Sequence, residues 1–193
     1  SAASDVYKRQ YQNKLMDGVQ GNAGYIGHTV LNAEGPMCVC GNRGCLDAYA
    51  GELALNRRYQ ELTNSENESY YTMRDFMKLS RNGDAVSQKI LKGAAFYLGI
   101  TISNLIKILE PKMVLIASCE PLKGTTYWNI MEETIKKYHI NEMETKLELR
   151  EAQLLEDDYA LGACCYVFEY LFETPRLSLA ISVSYTHLTL PTI

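Results

Sequence analysis

Apolar residues recur at three- and four-residue steps through Ile90, Leu91, Ala94, Ala95, Leu98, Ile102, Leu105, Ile106 and Leu109. A stripe that wide predicts one long helix over residues 85–109, laid against a sheet or helix core, and Glu110-Pro111 stops it. The run KMVLIAS, residues 112–118, then reads as a buried central strand. Residues 125–138 carry a second helical pattern, 147–154 alternate as a strand, and 159–172 form a last helix. Helix, strand, helix, strand, helix after residue 84 is the alternation of an α/β domain. The upstream half is less regular. From Gly18 to Gly51 it is rich in glycine and turn residues, with a short, weakly alternating strand at 26–31. LDAYAGELALNRRYQEL has helical spacing with Leu46, Tyr49, Leu53 and Leu55 as anchors, although Gly51 argues against one unbroken helix. A polar loop at 63–69 precedes a short helix at 72–79, where Thr72 and Asp75 stand as a capping box.

The chain has 193 residues, 47% hydrophobic and 22% charged, so a packed core is easily built. A net charge of -4 without long blocks does not by itself attract nucleic acid. No run of about eighteen apolar residues is available to span a bilayer, and the first twenty residues lack the apolar core of a signal peptide. No membrane partner and a cytoplasmic location are therefore expected. The six cysteines fit that compartment. Cys119 ends the apolar strand and Cys164-Cys165 fall in the last helix, which suits buried free thiols rather than bridges.

Cys38, Cys40 and Cys45 are different, because they lie in a polar, glycine-rich loop with no core to fill. With His28 ten residues upstream they offer three thiolates and an imidazole, a donor set that suits a tetrahedral zinc ion. Four protein ligands close the sphere, so the zinc is expected to be structural; three free cysteines and a surface histidine are the alternative. Gly41 and Gly44 let the backbone turn tightly around an ion. Asp47 starts the following helix, where free amides favour a carboxylate. An acid and a metal-anchored imidazole together can read sugar hydroxyls. Arg43, Arg57-Arg58 and Lys136-Lys137 read as solvated charges, Asp157-Asp158 as a helix cap, and Tyr70-Tyr71 as packing.

The stretch AGYIGHTVLNAEGPMCVCGNRGCLDAYAG, residues 23–51, resembles the ROK family of sugar kinases and sugar-responsive repressors. That family carries Glu-x-Gly-His followed by Cys-x-Cys-Gly-x-x-Gly-Cys-x-Glu. The resemblance continues through the long helix, PKMVLIAS and ALGAC at 160–164, covering about residues 11–175. It implies a two-lobed, actin-like ATPase fold of the ribonuclease-H-like type, with this chain as most of the C-terminal lobe and its zinc loop. Residues 1–10 and 180–193 look like artefactual ends. The family glutamate of Glu-x-Gly-His is replaced by Tyr25, the last motif glutamate by Asp47, and the nucleotide-side glycine pair by Ser118-Cys119. No D-x-G-G-T phosphate motif precedes the zinc loop. The resemblance thus implies a sugar-sensing repressor segment that binds a monosaccharide through His28, Asp47 and Tyr25. Such a segment would have no catalytic activity, would form a dimer or tetramer, and would reach DNA only through an N-terminal helix-turn-helix outside this sequence. A fragment of an ATP-dependent sugar kinase is the alternative.

Overall fold

In the computed structural model, residues 10–11, 14–15, 19, 24–64, 69–118, 120–138, 147–153 and 164 are described. In chain order the elements are β1 (Gln10–Tyr11), β2 (Lys14–Leu15), a 3-10 turn (Ile26–His28), α1 (Asp47–Ala50), α2 (Glu52–Thr63), α3 (Met73–Arg81), α4 (Ala85–Leu109), β3 (Met113–Ser118), α5 (Thr126–Lys137) and β4 (Glu148–Gln153). Strands β1 and β2 pair antiparallel, with Gln10 opposite Leu15. Strands β3 and β4 are hydrogen-bonded neighbours in a second sheet. The chain divides into two units, Ser1–Ala152 and Gln153–Ile193, and the core described below belongs to the first.

Helix α4 has the bounds its periodicity predicts. The Asp84 carboxylate accepts from Ser87 N–H at 2.6 Å and caps its start. Glu110, in the left-handed region at φ 44°, ends it ahead of Pro111. Its buried stripe, which includes Ile90, Leu91, Ala94, Ala95, Ile102 and Ile106, is the spine of the core. Against it lies α5, whose Tyr127, Trp128, Met131 and Ile135 are buried; each such side chain stabilises by roughly 1.5–3 kcal/mol relative to exposure. The two helices approach closely at Gly99, where an added Cβ would stand 2.6 Å from Thr134 Cβ and 2.8 Å from the Met131 carbonyl oxygen. Ser103 donates to the Tyr138 carbonyl at 2.9 Å, fixing the far end of the pair.

The capping box on α3 forms as expected, Thr72 accepting from Asp75 N–H and Asp75 from Thr72 N–H. Below it Tyr59, Tyr71 and Phe76 meet with centroids 5.4–5.7 Å apart. Buried Asn56 secures the chain there, exchanging two hydrogen bonds with the Tyr71 backbone.

Four expectations change. Residues 26–31 are not a strand: the chain makes a 3-10 turn at Ile26–His28 and only an isolated bridge, Val30 to Cys45. Gly24, at φ 104°, and the turn bond from His28 N–H to the Tyr25 carbonyl at 3.0 Å set that curl. Leu53 is not a core anchor but is 53% exposed, while Leu55 is 1% exposed. Gly51 adopts an extended conformation (φ -71°, ψ 151°) that breaks α1 from α2, so one helical phase does not run through both. Strand β3 is buried on one face only: Val114 and Ile116 pack on the core, Met113 and Leu115 are exposed. Its one partner among the described residues is β4. Cys164, expected in the core, is exposed. Cys119, Cys165, Asp157-Asp158, most of the helix expected at 159–172, and residues 180–193 lie outside the described residues. No helix among those described is long and apolar enough to cross a membrane.

Candidate metal centre

The loop from Val30 to Cys45 folds back on itself through bridges Val30 to Cys45 and Met37 to Arg43. Leu31 N–H donates to the Gly44 carbonyl, Gly44 N–H to Pro36, and Cys38 N–H to Asn42, each at 2.8 Å. Two residues make this possible. Gly41 turns the tip at φ 91°, and Gly44, at φ 68°, lies so close to the Asn32 carbonyl that a Cβ would overlap it. The result sets Cys38 and Cys40 on one arm facing Cys45 on the other, with His28 presented from the 3-10 turn.

Cys40 Sγ is 3.6 Å from Cys45 Sγ, and Cys38 Sγ is 3.6 Å from His28 Nδ1. The ligand atoms of His28, Cys38, Cys40 and Cys45 all lie within 4.8 Å of one another. A tetrahedral ion with bonds of about 2.3 Å to sulfur and about 2.0–2.1 Å to nitrogen separates its ligands by about 3.8 Å (S to S) and about 3.6 Å (S to N). The cluster therefore fits one coordinated metal ion. Burial, reinforced by the neighbouring sulfurs, pushes the Cys45 thiol up to about 12, whereas the Asn42 backbone amide lowers that of Cys40. Crowded thiols of this kind ionise together only when a cation offsets the repulsion.

Beside the cluster, Asp47 Oδ2 lies 3.7 Å from His28 Nδ1, both side chains about one-third exposed. This approach explains the glycine before the histidine: a Cβ on Gly27 would collide with the Asp47 carboxylate. Tyr25, 57% exposed, stacks near the His28 ring with centroids 6.2 Å apart and planes 21° apart. A cleft of about 480 Å³ opens here, in the usual range for small-molecule sites. His28 and Asp47 line it; Tyr25 does not.

One wall of this cleft is aromatic, built from two tyrosines that local sequence pattern does not pair. Tyr49 and Tyr97 stack at 3.8 Å, tying α1, which follows the metal loop, to α4. Tyr49 was legible only as an apolar anchor, since nothing in the local pattern pairs it with a residue 48 positions away.

A second region is organised after β3. The Ser118 hydroxyl donates to the Glu120 carbonyl and accepts from Glu120 N–H. Glu120 pairs with Arg74 at 3.4 Å and Arg81 at 3.0 Å. From β4, the Glu151 carboxylate accepts from Leu122 N–H and, at 3.1 Å, from Lys123 N–H.

Comparison with known proteins matches residues 10–169 to the ROK family model. The xylose repressor of Bacillus subtilis (strain 168) is 29% identical over 161 residues, 83% of this chain and 41% of that protein. A glucokinase of Halalkalibacterium halodurans is 28% identical over 159 residues, 77% of this chain and 48% of that protein. The chain thus spans less than half the length of these relatives. Among solved structures, a ROK hexokinase from Thermus thermophilus superposes with a TM-score of 0.66 at 30% identity, over 78% of this chain and 50% of that one. A ROK family transcriptional regulator, homologous to the E. coli MLC protein, gives 0.67 at 22% identity, over 78% of this chain and 40% of that one. The fold is accordingly of the actin-like ATPase type, and the chain belongs to the ROK family.

Proposed function

We propose that this chain is the effector-binding and oligomerisation part, residues 11–175, of a sugar-responsive transcriptional repressor. His28, Cys38, Cys40 and Cys45 hold a structural zinc ion. The ion supplies a fixed tetrahedral anchor, while the chain's own groups recognise a monosaccharide: Asp47 accepts from a hydroxyl, His28 offers its remaining ring nitrogen, and Tyr25 stands at the rim with an aromatic face. Sugar binding favours one arrangement of the two lobes of a longer, oligomeric protein, and an N-terminal helix-turn-helix registers the change.

The observation that carries the proposal is the loop after β3. There Ser118, which stands where the family resemblance expects a glycine facing a nucleotide, folds its side chain onto Glu120, and Glu151 takes up the backbone N–H groups of Leu122 and Lys123. Sensing without phosphoryl transfer is the role such a chain retains. Similarity to several xylose repressors supports it. Similarity to the T. thermophilus hexokinase favours the second reading, a piece of an ATP-dependent sugar kinase.

The coding sequence upstream separates the two: a helix-turn-helix supports the repressor, a D-x-G-G-T phosphate motif the kinase. On the full-length product, calorimetric titration with D-xylose and D-glucose is expected to detect a ligand whose affinity falls about 10- to 150-fold in Asp47→Ala. That is the loss of one charged hydrogen bond of roughly 1.5–3 kcal/mol. Equal affinity in both proteins would place the sugar elsewhere.

A further inference from the structure

The three sulfurs of the cluster are not equivalent. Cys38 and Cys45 are 5% and 0% exposed, whereas Cys40 is open to solvent. Its neighbours keep it open: Val39 is 74% exposed and projects away, and the place where a Cβ of Gly41 would stand has nothing within 4 Å. An attacking small molecule therefore reaches Cys40 and neither of the others. Directly behind it, 3.6 Å away, is the Cys45 sulfur.

From this arrangement we infer that Cys40 is a peroxide-reactive site resolved by Cys45, so that oxidation expels the metal. The proposal rests on the cluster binding zinc. In the first step the Cys40 sulfur attacks one oxygen of a hydroperoxide. The O–O bond breaks, a sulfenic acid forms, and the other oxygen leaves as hydroxide or alkoxide. In the second, the Cys45 thiolate attacks the sulfenic sulfur, forming the disulfide and releasing hydroxide. The two sulfurs lose two electrons and the peroxide gains them; both metal–sulfur bonds break, leaving a pair of ligands, His28 and Cys38, too few to retain the ion. Closing 3.6 Å to a bond of about 2.05 Å needs only local movement. The intervening Gly41 and Gly44 supply it, because both occupy conformations with soft alternatives for glycine. Cys38 is a poorer resolver, being one residue from Cys40, so that a bridge would close a small, strained ring.

The experiment starts with metal analysis of the purified chain, then adds hydrogen peroxide in the presence of a chromogenic zinc chelator. It follows released zinc, intact mass and the cross-linked peptides. Cys164→Ser is included, because Cys164 is the other exposed thiol among the described residues. Release of about one zinc per chain, loss of two hydrogens in mass, a Cys40–Cys45 peptide, and reversal by dithiothreitol with added zinc are expected in wild type and in Cys164→Ser alike. Zinc present but retained under peroxide overturns this inference and leaves the metal site standing. Release through a Cys38 bridge, or over-oxidation of Cys40 without a bridge, also overturns it. Protein purified without zinc, and unable to take it up, sinks both the inference and the metal site.

Discussion

Two glycines on α4, six residues apart, are expected to respond to the same substitution with opposite sign. At Gly93 an added methyl meets nothing within 4 Å, so Gly93→Ala brings only the helix-propensity gain of alanine. That gain is about 0.8–1.0 kcal/mol in a helix interior. At Gly99 the same methyl stands 2.6 Å from Thr134 Cβ and 2.8 Å from the Met131 carbonyl, against an ordinary contact of 3.4–4 Å. Relieving it means moving α5 outward by about 1 Å, which loosens the buried contacts of Trp128, Met131 and Ile135. Overpacking of this kind costs about 1–3 kcal/mol, enough to exceed the propensity gain. Urea unfolding followed by circular dichroism should therefore move the midpoint up for Gly93→Ala and down for Gly99→Ala, and thermal midpoints should shift by roughly 2–4 °C per kcal/mol. Equal stabilisation by both substitutions would show that α4 and α5 do not pack at this distance.

Chelation of the metal should lower the thermal midpoint, because the loop 30–45 has little apolar core of its own. Cys40→Ser should reduce bound zinc in metal analysis, and a zinc content unchanged by that substitution would count against the ligand set. Strong acid should loosen the start of α3. Its Thr72 hydrogen bonds hold the Asp75 carboxyl below the usual carboxylate range. The cap's contribution is thus complete above an unfolded value of about 3.9 and is lost as pH falls through the lower folded one. Protection of the amides at residues 73–76, taken as exchange relative to the intrinsic rate at each pH, should fall in that window in wild type and be already low in Asp75→Asn.

The parts of the fold that the sequence disclosed are those decided by local period. The α4 stripe, the Thr72–Asp75 box and the Gly51 break need only neighbours within one or two turns. So did the metal cluster, since ligand chemistry and glycine placement act within a short loop. What escaped notice depends on distant partners. The Tyr49–Tyr97 stack, the Glu151 carboxylate reaching back to Leu122 and Lys123, and the Glu120 pairs with Arg74 and Arg81 all join residues 28 to 48 positions apart. The curl at 26–28 departs from the sequence pattern for a related reason. Weak alternation suggests a strand, but a strand needs a partner along its length, and among the described residues this segment finds one only at Val30.

Helix α1 has four residues, far too few to persist unaided. It is held instead at both ends: Cys45, one of the four cluster residues, lies just before it, and Tyr49 within it is stacked on Tyr97 of a 25-residue rod. Asp47 sits between these two fixings, and Gly27 closes in from the third side. Machinists call such a support a kinematic mount: few contacts, each removing a different freedom, and no redundancy. A part mounted this way keeps its position while its surroundings are recut. Substitutions on the outer faces of α2 or the cleft rim should leave the Asp47 carboxylate where it is, so that the walls of the cleft can change around one group that holds its place.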